Sequence, residues 1–134
     1  AAGVCDIAVA NTYYFGRLGL SNKKEDRAVF DKLKMFWPNQ AANERGAHVN
    51  VSGIGITASS KNTDNAKQLI DFLTNKQSQE WYANVNNEYA VIEGVAPPKS
   101  LATFGEFKAD KVSLSVLGEN NRQAVKLMDQ GGWK

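Results

Sequence analysis

The stretch Cys5–Leu18, "CDIAVANTYYFGRL", decides how the rest of the chain is read. "VCDIAVA" (4–10) is a short, mostly apolar run of the kind that forms a buried strand. Asn11 or Thr12 then offers an N-cap for a helix running through Leu20. Between the two lie adjacent tyrosines, Tyr13 and Tyr14. Neighbouring residues point to opposite faces of a strand and diverge by about 100° on a helix. Two phenols converge on one ligand most readily at a strand-to-helix turn, where the backbone curves around a point.

A phenolate oxygen is a hard anionic donor and matches a hard, highly charged cation. A free tyrosine has a pKa of about 10, and a bound cation drives the proton off. Ferric iron fits this description best among metals. Backbone N–H groups at the helix start, with Asn11, could seat a small anion such as carbonate or phosphate beside the metal. The alternative is that the two tyrosines merely pack at the start of a helix, and spacing alone leaves both readings open.

Outward from this segment, "NKKEDRAVFDKLKMF" (22–36) reads as a second helix, with Asn22 and Glu25 at cap-and-N3 spacing and Pro38 as its end. "HVNVSGIGIT" (48–57) alternates in one phase at Val49 and Val51 and in the other at Ile54 and Ile56. A phase change at Ser52-Gly53 would turn a strand from one packing environment into another. Asn62 can cap a third helix, on which Ala66, Leu69, Ile70 and Leu73 form an apolar stripe. "QSQEWYANV" (77–85) continues as a shorter helix, and "EYAVIEGVAPP" (88–98) is extended. Phe104 and Phe107 are expected to pack within an otherwise ambiguous segment, 99–117. "ENNRQAVKLMDQGGW" (119–133) is a last helix, with Gly131 as its stop. Strands alternating with helices give the α/β class. The strand supply is thin for a self-sufficient α/β domain. The chain also opens almost at once inside a strand-like run, with no signal peptide, so it reads as a piece of a longer protein or a processed product.

Composition narrows the function. The 134 residues are 43% hydrophobic with a formal net charge of +2. That charge is too small and dispersed to point to nucleic acid, and no apolar run approaches the length of a membrane span. Cys5 stands alone, which excludes a disulfide framework or a cysteine zinc site. Its expected state is a small buried thiol. His48 is the single histidine and reads as a hydrogen-bonded structural residue beside a strand. No G-x-S-x-G elbow supports a hydrolase, and "GIG" at 53–55 lacks the spacing of a dinucleotide fingerprint.

In "CDIAVANTYYFGRL", "WPNQAANERGAHVNVSGIGIT" (37–57), "SKNTDNAKQLIDFLTNKQSQEWYANVNNEYAV" (60–91) and "LGENNRQAVKLMDQGGW" (117–133), taken in this order, the chain resembles the periplasmic ferric-iron-binding proteins of bacterial ABC importers, the bacterial transferrins. The resemblance covers nearly the whole chain and corresponds to the C-terminal half of such proteins, which it takes to be roughly twice as long. It implies part of a two-lobe α/β fold of the type II periplasmic-binding kind, with hinge-crossing strands. Residues 1–43 and 95–134 would belong to the C-terminal lobe, and 44–94 would complete the N-terminal lobe. It further implies Fe(III) ligation by Tyr13 and Tyr14, with Asn11 at a synergistic anion, carbonate or phosphate. His48 does not match the family's ligand histidine. The implied setting is the periplasm, with delivery of iron to an inner-membrane ABC permease and no catalysis. The missing N-terminal half would be the chain's natural partner, and an isolated copy would tend to self-associate. Two other readings stay in view: a binding protein of the same fold for another small anionic or organic ligand, and a self-contained small enzyme or interaction module.

Overall fold

In the computed structural model, residues 3–133 are described, and among them the regular structure consists of six helices. The chain divides into two compact units. One comprises the residues up to Phe36 together with Asn50–Glu106; the other comprises Trp37–Val49 and the chain from Phe107 onward.

The first unit is built around α1 (Thr12–Leu20), which packs against α2 (Lys24–Lys32) and α5 (Lys99–Ala102). Phe15 is the centre of this packing. Its ring lies 4.6 Å from that of Phe30 on α2 and stacks at 5.2 Å on Phe104, just beyond α5. Such pairs add roughly 0.5–1.5 kcal/mol beyond the area they bury. One turn further along α1, Gly19 lets Phe30 approach so closely that a Cβ there would sit 2.9 Å from its ring. The expected packing of Phe104 and Phe107 is realised, Phe107 doing so in the second unit.

The second helix departs from expectation at both ends. Its N-cap is Lys23, not Asn22, and the tie is made by Ser21, whose Oγ donates to Asp26 at 2.6 Å and accepts from the Lys23 N–H at 3.1 Å. It stops at Lys32, well before Pro38. Most helical stability comes from burying an apolar face, and beyond Phe30 there is little to bury: Leu33 and Phe36 are exposed.

Helices α3 (Thr63–Thr74) and α4 (Lys76–Asn86) pack on each other and are joined at Asn75, the last cap of one and the first of the other. Its side chain accepts from the Ser78 N–H at 2.8 Å, a cap worth about 1 kcal/mol. Gln79 closes the joint by donating to the Leu73 carbonyl and accepting from the Val91 N–H. At the far end, α4 terminates on Asn87 in the left-handed conformation, φ 59°.

In the second unit, Trp37 stacks on Phe107 at 4.2 Å. Gln40 accepts from the Lys108 N–H and donates to its carbonyl. Ala47 forms an isolated parallel bridge with Ala109, and Arg45 pairs with Asp110. Burial works to raise the Asp110 pKa, but the Val112 N–H and Arg45 outweigh it and hold the carboxyl below its usual value. Helix α6 (Leu114–Gln130) starts five residues earlier than the polar run at Glu119 indicated. Gly131 is its C-cap, and the left-handed residue that completes the stop is Gly132, φ 68°. The Trp133 N–H bonds to the Met128 carbonyl and the Gly132 N–H to that of Asp129, the paired bonds of a Schellman ending.

Two expected strands do not form. Residues 4–10 and 48–57 are irregular, exposed and without a ladder among the described residues. Ile7 is 85% exposed, and Cys5, expected as a buried thiol, is exposed beside it. The physical reason is that a strand is stabilised by pairing. The apolar pattern is there, yet the Ala47–Ala109 bridge is the whole of the strand pairing among the described residues. Helix α6 is exposed along its length, including Leu114, Leu117, Val125, Leu127 and Met128.

Candidate metal-binding site

The turn into α1 forms where the sequence placed it. Asn11 is the N-cap, extended at φ −70°, ψ 143°, and its carbonyl accepts from the Tyr14 N–H at 3.2 Å. Its side chain does not cap the helix. It is engaged elsewhere: Nδ2 donates to the Tyr13 hydroxyl oxygen at 3.1 Å, and Oδ1 accepts from Asn50 Nδ2 at 3.4 Å. The backbone N–H groups of the first turn are left without a side-chain acceptor, as an anion at a helix start would require.

Tyr13 and Tyr14 converge despite being adjacent. Their ring centroids are 4.3 Å apart with planes tilted by 47°, and each phenol acts on the acidity of the other. Tyr14 is 55% exposed, so the pair opens to solvent. Arg17, one turn along α1, lies over the Tyr13 ring at 5.3 Å.

The interaction between the two phenols splits their acidities. Tyr14, then the Asn11 amide and more weakly Arg17, hold the Tyr13 phenol below its ordinary value against burial and the Glu88 charge. Tyr14 is raised by the neighbouring Tyr13, through the side-chain interaction and then through the charge of its oxygen. Tyr13 is therefore the oxygen best prepared to carry negative charge, and Tyr14 loses its proton only when something more strongly positive takes its place.

All three residues expected at the site, Asn11, Tyr13 and Tyr14, are thus brought together. His48 is not among them. It is exposed beside the Ala47–Ala109 bridge, where a hydrogen-bonded structural histidine was expected. No group of three or more His, Cys, Asp or Glu side chains is placed to hold a metal among the described residues. Two participants were not foreseen. Asn50, 39 positions away, fixes the Asn11 amide so that its donor faces Tyr13. Glu88, which follows α4, acts on Tyr13 through its charge. Asn50 carried a faint signal as the polar residue between Val49 and Val51; Glu88 carried none.

Comparison with known proteins shows what the chain resembles. The sequence pattern of the bacterial extracellular solute-binding proteins matches residues 6–111. Over its whole length the chain is 42% identical to "Iron uptake protein A1" of Synechocystis, covering 37% of that protein. Over 98% of its length it is 29% identical to the "Major ferric iron-binding protein" of Neisseria meningitidis serogroup B, covering 38% of it. A solved Trichodesmium structure, IdiA (FutA) in complex with iron and citrate ligands, superposes on 99% of this chain with a TM-score of 0.92 and 46% identity, over 42% of its own length. A ferric binding protein from Campylobacter jejuni superposes on 95% of the chain with a TM-score of 0.82 and 38% identity. The chain thus spans about two fifths of the length of these relatives, less than the half that the sequence had implied. Its fold is part of the two-lobe α/β architecture of the type II periplasmic-binding kind. This chain belongs to the bacterial extracellular solute-binding protein family.

Proposed function

We propose that the chain is the tyrosine-bearing part of a ferric-iron-binding protein that serves a bacterial ABC importer. The observation that carries this reading is the pair of converging phenols at the start of α1, their rings 4.3 Å apart, with an amide donor on one oxygen. A ferric ion takes the place of the two phenol protons. Two negative oxygens then face one hard cation. The Asn11 amide keeps its donor toward Tyr13, and first-turn N–H groups that the Asn11 side chain does not cap receive a small anion, carbonate or phosphate, beside the metal. The relatives add weight: two are named for iron, and the Trichodesmium structure holds iron with citrate.

In this reading the work is capture and release, with delivery to an inner-membrane permease from the periplasm. Residues 1–43 and 95–134 serve one lobe and 44–94 the other, with the remaining ligands coming from the rest of a longer protein. Adding ferric iron to the full-length protein is the test. Phenolate-to-iron charge transfer absorbs visible light, so colour is expected. A second reading, a small organic or anionic ligand held by the same tyrosines, draws on the half-open ring faces of the pair. It predicts ligand binding with no colour.

His48→Gln is expected to leave ferric affinity within a few-fold, because the histidine is exposed beside the Ala47–Ala109 bridge and is read as no ligand; an iron titration showing a large loss would contradict this. The isolated 134-residue chain is expected to self-associate. Exposed extended segments recruit other strands, and the apolar residues of 4–10 and of α6 lie open to solvent. Light scattering checks this, and a sharply melting monomer would speak against it.

A further inference from the structure

Asn87 is the one buried polar residue among the described residues, 6% exposed, and it holds a left-handed conformation at φ 59°, ψ 47°. That conformation favours glycine, with asparagine and aspartate next. Glycine would end α4 equally well, so the choice of asparagine needs a second reason. Its Oδ1 accepts a 2.6 Å hydrogen bond from the Ser100 hydroxyl on α5. Only a residue that tolerates the left-handed region and also carries an acceptor meets both demands.

Ser100 and its neighbour Leu101, which is fully buried, form the surface on which α1 rests. The contact is made at Gly16. A Cβ there would lie 3.2 Å from Leu101 Cδ2 and 3.3 Å from Ser100 Cβ, so the helices meet closely enough that even a methyl group would press on both. Gly16 is three residues beyond Tyr13, the neighbouring position on the helix surface. A chain of contacts therefore runs from the end of α4, through Asn87 and Ser100, to the turn of α1 that carries the tyrosines.

We propose that the Asn87–Ser100 hydrogen bond is a positioning device for the tyrosine pair: it fixes α5 against α4, and α5 in turn fixes the height of α1 at Gly16. Asn87 and Ser100 do not touch the ligand; they act through α5. The proposal builds on the ferric reading of the site, but part of its test is independent of metal.

The experiment compares Asn87→Gly, Asn87→Asp and Ser100→Ala in the full-length protein. Asn87→Gly keeps the backbone conformation and removes the acceptor. Asn87→Asp keeps both. Ser100→Ala removes the donor alone and carries the same test should Asn87→Gly fail to fold. Without metal, hydrogen exchange at the amides of Tyr14–Gly16 is expected to speed up in Asn87→Gly and Ser100→Ala and to stay at the parent rate in Asn87→Asp. With ferric iron, the first two are expected to bind about tenfold more weakly, the lower range for loss of a supporting partner, with a shifted charge-transfer band, and the aspartate variant to restore the parent band. Unchanged α1 exchange in both disrupted variants overturns the proposal. So does an unshifted band in a parent protein that is coloured. A parent that stays colourless overturns the ferric reading instead, while the exchange data still decide whether the bridge positions α1.

Discussion

Replacing Tyr13 or Tyr14 with phenylalanine is expected to lower ferric affinity of the full-length protein by more than about 100-fold and to strip the visible colour. Losing a mere supporting partner of a metal ligand already costs about 10–100-fold, and under the proposed ligation an anionic ligand atom itself is removed. The ring remains in each variant, so the 4.3 Å ring contact and the Phe15 packing of α1 persist. Fold loss is therefore a poor explanation for any effect, and unfolding midpoints should stay close to that of the parent. Tyr13→Phe also strands the Asn11 amide donor, an added cost of about 1 kcal/mol. Equilibrium competition with a chelator measures the affinities. Two single variants with the parent's colour and affinity would contradict the ligand assignment.

Acidification is expected to release the metal. Both phenols must be ionised to ligate, so binding expels protons and is opposed by them. The sign follows from the site. Tyr13 is held below its ordinary value and Tyr14 is raised, and each oxygen that carries a proton must give it up to bind the metal. Affinity then rises with pH by up to about tenfold per unit for each proton expelled, and falls along the same slope as pH drops. The lowered Tyr13 value lets the first oxygen compete at lower pH than an ordinary phenol would; the raised Tyr14 value makes the second the weaker point. Visible colour should fade on acidification and return on neutralisation. Colour unchanged down to strongly acidic pH would argue against phenolate ligands.

What the sequence disclosed depended on how local the determining contacts are. Helix α1 and its cap at Asn11, the break between α3 and α4, and the stop after Gln130 rest on residues within a few positions of one another, and each appeared where the pattern put it. The tyrosine pair belongs to the same class, because the turn that makes Tyr13 and Tyr14 converge is written in the residues beside them. The strands at 4–10 and 48–57 failed for the opposite reason: their apolar alternation is legible, but a ladder needs a partner, and the described residues supply none. The end of α2 was misplaced because Pro38 sets only an outer limit, while the inner one is set by where Phe30 finds Phe15. Asn50 and the Asn87–Ser100 bond lay beyond reach, since each joins positions 13 or more residues apart through a side chain that reads as ordinary loop or cap chemistry.

The central claim, that the Tyr13 and Tyr14 phenolates hold ferric iron, is tested most directly by resonance Raman spectroscopy of the ferric full-length protein, excited in its visible band. Vibrations of iron-bound tyrosinate are expected to be enhanced, to shift when tyrosine is ring-deuterated, and to vanish in the Tyr13→Phe/Tyr14→Phe double variant. An iron-loaded protein that shows no tyrosinate vibrations, or that shows them undiminished in the double variant, would contradict it.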